Sequence, residues 1–107
     1  MDIQQLSHKM DRFVEAKGWY EADSLRPQTP RNMAASLAIE AAEVLEHFQW
    51  GDQTGDTCGA VPRRSELASE LADVLLYLLQ LASICGIDLE QAALDKMKVN
   101  DDRTWDE

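Results

Sequence analysis

Apolar residues recur at three- and four-residue spacings in four stretches of the chain, and runs of Gly, Pro, Asp, Ser and Thr separate them. That is the period of amphipathic helices. In the first stretch Ile3, Leu6, Met10, Phe13 and Val14 share one side, which predicts a helix from Asp2 to Lys17 with Gly18 as its stop. "GWYEADSLRPQ" follows as a loop. Thr29 as N-cap and Pro30 at the first helical position open a second helix, which packs Leu37, Val44 and Phe48 and closes at Gly51 after Trp50. "GDQTGDTCGAVPRR" predicts a second loop, long enough to be mobile. Ser65 is placed to cap a third helix, "SELASELADVLLYLLQLASIC", which ends at Gly86. Asp88, with Gln91 three residues on, resembles a capping box for a fourth helix from Asp88 to Asp102. Nothing reads as a strand, so the expected fold is all-α: a four-helix bundle forming one domain over residues 1–107.

The third helix complicates a simple bundle. Its second half, "VLLYLLQLASI", is apolar nearly all round, more than neighbouring helix faces within one small chain can cover. Assembly as a homodimer or homotetramer would bury the remainder. No uninterrupted apolar run approaches the roughly 18 to 20 residues of a membrane span, and "MDIQQLSHKM" lacks the basic-then-apolar order of a signal peptide. The expectation is therefore a soluble cytoplasmic protein with no membrane partner. Ten Lys and Arg against 20 Asp and Glu give a formal charge of −10, which repels a nucleic-acid backbone. Cys58 and Cys85 stand alone, without metal-ligand or disulfide spacing, and Cys85 reads as a small core residue.

One charge sits where none is expected. Glu40 lies between Leu37 and Val44 at helical spacing, inside the apolar stripe of the second helix, and Glu43 is one turn further on. The third helix repeats the device with Glu70 and Asp73. If the two helices face each other, four carboxylates meet in a partly desolvated place, where they repel unless a multivalent cation neutralises them. An all-oxygen set favours Mg²⁺, or Mn²⁺, and no His or Cys at matching spacing suggests zinc or di-iron. Glu46, Glu66 and Glu90 fall on outward or first-turn positions, where solvent or the helix dipole is explanation enough.

"EAAEVLEHFQW" followed by "ELADVLLYLLQLA" resembles the ExxE…ExxD signature of the MazG-like all-α nucleoside triphosphate pyrophosphohydrolases. The likeness runs over residues 3–103 and is nearest the single-domain dCTP pyrophosphatase branch, through "PRN", "EHFQW", "DVLLYL" and "KMKVN". It implies that Glu40, Glu43, Glu70 and Asp73 are Mg²⁺ ligands, and that Glu40 or Glu43 orients or deprotonates the attacking water. The implied reaction converts a nucleoside triphosphate to its monophosphate and pyrophosphate.

Tyr77, four residues after Asp73, rises from the ligand side of its helix, and the resemblance implies that it encloses the base together with Trp50 and Trp19. Lys96, Asn100 and Arg103 follow one another at i, i+4, i+7 as a polar continuation of an inward face, suited to a triphosphate. Arg31 and Asn32 lie in the first turn of the second helix, where free N–H groups favour an anion or a base edge. Relatives of this branch carry a His near the nucleotide just before "PRN"; here Gln28 falls at that place, which leaves base selectivity open. His47 reads as a residue supporting the ligands or as a helix-end surface group, and His8 has no assigned role. The functional expectation is a Mg²⁺-dependent hydrolase of pyrimidine deoxynucleotides such as dCTP, clearing the nucleotide pool. The competing expectation is a non-catalytic helical oligomer that senses nucleotides or binds a protein, its carboxylates holding a structural ion.

Overall fold

A computed structural model of the chain describes residues 1–49 and 64–103. Within them lie α1 (Ile3–Ala16), α2 (Pro30–Gln49), α3 (Arg64–Ile84) and α4 (Leu89–Asp102), and among the described residues there is no strand. Trp50, the expected loop that begins at Gly51, and Cys58 lie outside the described residues.

The helix ends follow local chemistry. Asp2 caps α1 by accepting from the Gln5 amide at 2.8 Å, and Gln5 Oε1 accepts from the Asp2 N–H at 2.9 Å. Thr29 Oγ1 accepts from the Asn32 amide at 3.1 Å, the N-cap that "TPRN" predicts. Gly18 and Gly86 adopt φ of 73° and 69°, and each ends its helix in a paired closure: Gly18 donates to Glu15 and Trp19 to Val14, Gly86 to Ser83 and Ile87 to Ala82. Two sequence expectations need correction. Helix α3 begins at Arg64, so Ser65 lies inside its first turn rather than capping it. Asp88 does accept from the Gln91 amide, but the Gln91 side chain donates to Asp95 at 2.8 Å, so only half of the capping box forms.

Helix α3 is the centre on which the others pack. Its main partner is α2, α1 packs on it less extensively, and α4 touches α1 lightly. Leu67, Leu79, Gln80 and Ala82 of α3 are buried together with Val14 of α1 and Met33 of α2. Helix α4 buries no residue. Cys85 is exposed, contrary to expectation, because it follows the last helical residue, Ile84, and has left the buried stripe. The count of uninterrupted apolar residues also understated α3. It has 21 residues and an 18-residue window of mean hydropathy 1.5, long and apolar enough to cross a membrane, since averaging passes over Glu70 and Asp73 where a run stops. A core helix passes the same test.

Candidate functional site

The α2–α3 pair is antiparallel, with cross-contacts that run in opposite order along the two segments. His47, near the end of α2, meets Glu70 early in α3, and Gln28, just before α2, meets Gln80 late in α3. Between these contacts α2 presents Asn32, Ser36, Glu40 and Glu43, and α3 presents Tyr77, Asp73 and Glu70. The sequence spacing therefore becomes one continuous polar seam.

At its carboxylate end, burial pushes the Glu40 carboxyl above its ordinary value of 4.5. The neighbouring Glu43 side chain adds to this, as does repulsion from Glu43, Asp73 and Glu70. The four acids expected to meet thus do interact across the two helices. Glu40 Oε2 is buried and has no hydrogen-bond partner. Glu70 is engaged differently: its Oε2 lies 2.6 Å from His47 Nε2, with both side chains partly covered, so His47 supports an acid of the site. Among the described residues, no three His, Cys, Asp or Glu side chains are already gathered closely enough to grip an ion.

At the other end of the seam is a cavity of about 730 Å³. Asp73 lines it and so belongs to both halves of the site. Its walls come from α1 (Leu6, Lys9, Met10, Phe13), from the α1–α2 loop (Trp19, Arg26, Gln28), from Asn32, Met33 and Ser36 of α2, and from Leu76, Tyr77 and Gln80 of α3. The α1 stripe is therefore more wall than core: Val14 is buried, but Phe13 remains 47% exposed. The closure after α1 places Trp19, whose ring stands edge-on to Phe13 at 5.7 Å with the Arg26 guanidinium 5.3 Å from its centroid. Asn32 Nδ2 donates to the Pro27 carbonyl at 2.9 Å, which ties the loop to the helix.

Of the residues expected to contact a nucleotide, Trp19, Gln28, Asn32 and Tyr77 line this cavity. Arg31 is exposed on the first turn of α2 and does not. Lys96, Asn100 and Arg103 lie on or just after α4, away from the cavity walls. Trp50 lies outside the described residues. Sequence reasoning passed over Lys9, Phe13, Arg26 and Gln80. Gln80 carried a signal: it is the one amide in "VLLYLLQLASI", and an amide buried among apolar residues needs partners.

A polar network backs the cavity. Asp11 of α1 accepts from Tyr20 Oη at 2.8 Å and from Ser83 Oγ at 2.6 Å, which links α1 to the loop and to α3. Burial, with the hydrogen bond to Asp11, pushes the Tyr20 hydroxyl up to about 12, while a bond from Gln80 acts the other way.

Comparison with known proteins shows the family and the fold. The model of the MazG-like family matches residues 35–106. The dCTP pyrophosphatase 1 of Mus musculus is 43% identical over 94 residues, 86% of this chain and 55% of that protein. The dCTP pyrophosphatase 1 of Homo sapiens is 45% identical over 91 residues, 83% of this chain and 54% of that protein. The chain thus spans about half the length of these relatives. The crystal structure of a pyrophosphatase from Archaeoglobus fulgidus superposes with a TM-score of 0.76 at 36% identity, over 91% of this chain and 86% of that one.

Proposed function

The chain belongs to the MazG-like family, and on that premise we propose that it is a divalent-metal-dependent nucleotide pyrophosphohydrolase that converts dCTP, or a related pyrimidine deoxynucleotide, to the monophosphate and pyrophosphate. On this reading residues 1–107 form a single catalytic domain working in the cytoplasm on the free nucleotide pool.

The observation that carries it is the shared position of Asp73, in the wall of an aromatic-lined cavity and among the three acids that repel Glu40. Gln80 and Asp73 are seven residues apart, about 10 Å along the helix axis. A base seated between Trp19, Phe13 and Tyr77 would then direct its phosphates toward the carboxylates. The fit to a cation rests on Glu40, whose buried Oε2 is unpartnered and whose charge is opposed by three neighbouring acids. Glu40, Glu43, Glu70 and Asp73 are the residues that would hold Mg²⁺ or Mn²⁺, an all-oxygen set suited to a hard ion. When bound, such an ion neutralises phosphate charge and lowers the pKa of a coordinated water.

The chain's own contributions are positioning and proton transfer. Tyr77 and Trp19 hold the base, and Asn32, tethered to Pro27, fixes the loop that closes over it. Water attacks the α-phosphorus, the bond to the bridging oxygen of the β-phosphate breaks, and Glu40 or Glu43 accepts the proton of the water. His47 orients Glu70. Lys96, Asn100 and Arg103, with Arg31, Trp50 and the cavity-lining Lys9 and Arg26, complete the substrate contacts in this proposal.

Assembly as a homodimer or homotetramer belongs to the same reading. Its support is the apolar surface this chain leaves open: Ile39 and Leu45 on α2, Leu71 and Leu75 on α3, and Leu94, Met97 and Val99 on α4 are each at least 40% exposed. Sedimentation of the purified chain tests that part. The function is tested by a panel of nucleoside triphosphates with pyrophosphate detection, with and without Mg²⁺. Release of pyrophosphate without orthophosphate is expected. The absence of turnover on every common or damaged nucleotide would leave the non-catalytic oligomer in its place.

A further inference from the structure

The loop between α1 and α2 is pinned at both ends, and the two pinned ends meet at the wall of the cavity. At the first, Trp19 donates its amide to the Val14 carbonyl at 3.2 Å, and Tyr20 donates its hydroxyl to Asp11. At the second, Arg26 donates its amide to Ser24 Oγ at 3.0 Å, and Asn32 Nδ2 reaches back to the Pro27 carbonyl. Gln28 adds the link to the core. Its Nε2 donates to the Arg26 carbonyl at 2.6 Å, and its Oε1 accepts from Nε2 of Gln80, which is buried in α3. Arg26, held in this way along its backbone, lays its guanidinium over the Trp19 ring, 5.3 Å from the centroid. Trp19, Arg26 and Gln28 all line the cavity.

We infer that Gln28 is a positioning residue for Trp19: through Arg26 it couples the platform for the base to the buried amide of Gln80, and it does not itself recognise the base. A guanidinium over an indole near the surface is a weak contact, and the arginine loses rotamer freedom in making it. Fixing the Arg26 backbone from both sides leaves less to be ordered when a ligand arrives. The residue type suits the task. The Arg26 carbonyl needs a donor and Gln80 Nε2 needs an acceptor, and a carboxamide carries one of each on the same carbon. Because stacking on an aromatic ring tolerates any base, Gln28 sets affinity rather than base choice. The inference rests on the proposed seating of a base against Trp19, but it does not need turnover.

The first test needs no ligand. With the three tryptophans replaced by 5-fluorotryptophan, the fluorine resonance of Trp19, assigned by its loss in Trp19→Phe, is expected to shift in Gln28→Met. It should also shift in Gln28→Glu, which keeps the acceptor for Gln80 and lacks the donor for Arg26. The second test is calorimetric binding of dCMP and dUMP, which cannot release pyrophosphate, to the full chain. Gln28→Met is expected to weaken both about fivefold and leave their ratio unchanged, and Trp19→Ala to weaken both about tenfold or more. In the double variant Gln28→Met should add less than about twofold, because the platform it positions is gone. An unmoved Trp19 resonance in a folded Gln28 variant, additive losses in the double variant, a changed ratio of dCMP to dUMP, or no binding of either monophosphate by the wild type would each overturn the inference. Coupled losses in a chain that hydrolyses no triphosphate would sink the proposed reaction and leave the positioning role standing.

Discussion

Asp11 and Glu40 are both carboxylates set among apolar residues of a helix that packs on α3, yet their surroundings are opposite. Asp11 accepts one hydroxyl on each oxygen, Tyr20 on Oδ1 and Ser83 on Oδ2. Glu40 faces Glu43, Asp73 and Glu70 and keeps a buried oxygen without a partner. The first is a structural clamp joining α1, the loop and α3. The second is charge held in readiness, destabilising unless something positive arrives. The lesson is that a carboxylate in an apolar stripe is diagnosed by what satisfies it, which depends on residues far away in the chain.

The sharpest way to break the comparison is to neutralise one acid of each kind. Glu43→Gln and Asp73→Asn are expected to lower turnover by at least about 1,000-fold while circular dichroism reports an unchanged helix content. Activity within tenfold of wild type in both would remove these residues from the site. Asp11→Ala should do the reverse. It strands two hydroxyls and is expected to cost about 2 kcal/mol of stability, read from denaturant unfolding, with far less effect on kcat at a temperature where the variant is folded.

Smaller changes sharpen the contrast within the site. Tyr77→Ala removes a base platform and is expected to raise KM about tenfold or more, with a lesser change in kcat. His47→Ala leaves Glu70 without its 2.6 Å partner and is expected to raise the Mg²⁺ concentration for half-maximal activity about tenfold. An unchanged metal titration would make His47 a surface group.

The four helices were legible because their signals are local. Period, caps and the two stop glycines all lie within a few residues of the structure they specify, and the helix ends differ from expectation by a residue or two. The paired acids on α2 and α3 were legible too, since two helices of known period need only face one another. What the sequence did not disclose is long-range and depends on how helices rotate when they pack. Gln28 meets Gln80 across 52 positions, and Ser83 meets Asp11 across 72. Phe13 looked like core because its spacing matches Val14 and Met10, but rotation of α1 turns it into the cavity. The stripe on α4 presents the converse: Lys96 and Arg103 were read as inward, and within this chain both are exposed.

The state of Glu40 also fixes how stability should respond to pH and to metal. Its carboxyl is held above 4.5 in the folded chain, so folding favours the protonated form. The stability associated with that proton is fully present below the unfolded value and is lost as pH rises through the raised one. Glu40→Gln keeps the hydrogen-bonding shape and removes the charge. The most direct measurement is therefore the melting temperature of wild type and Glu40→Gln at neutral pH, each with and without Mg²⁺. Without metal the variant should melt higher than wild type, and Mg²⁺ should raise the wild type while leaving the variant nearly unmoved. A variant that melts lower than wild type, with Mg²⁺ shifting both equally, would contradict the account.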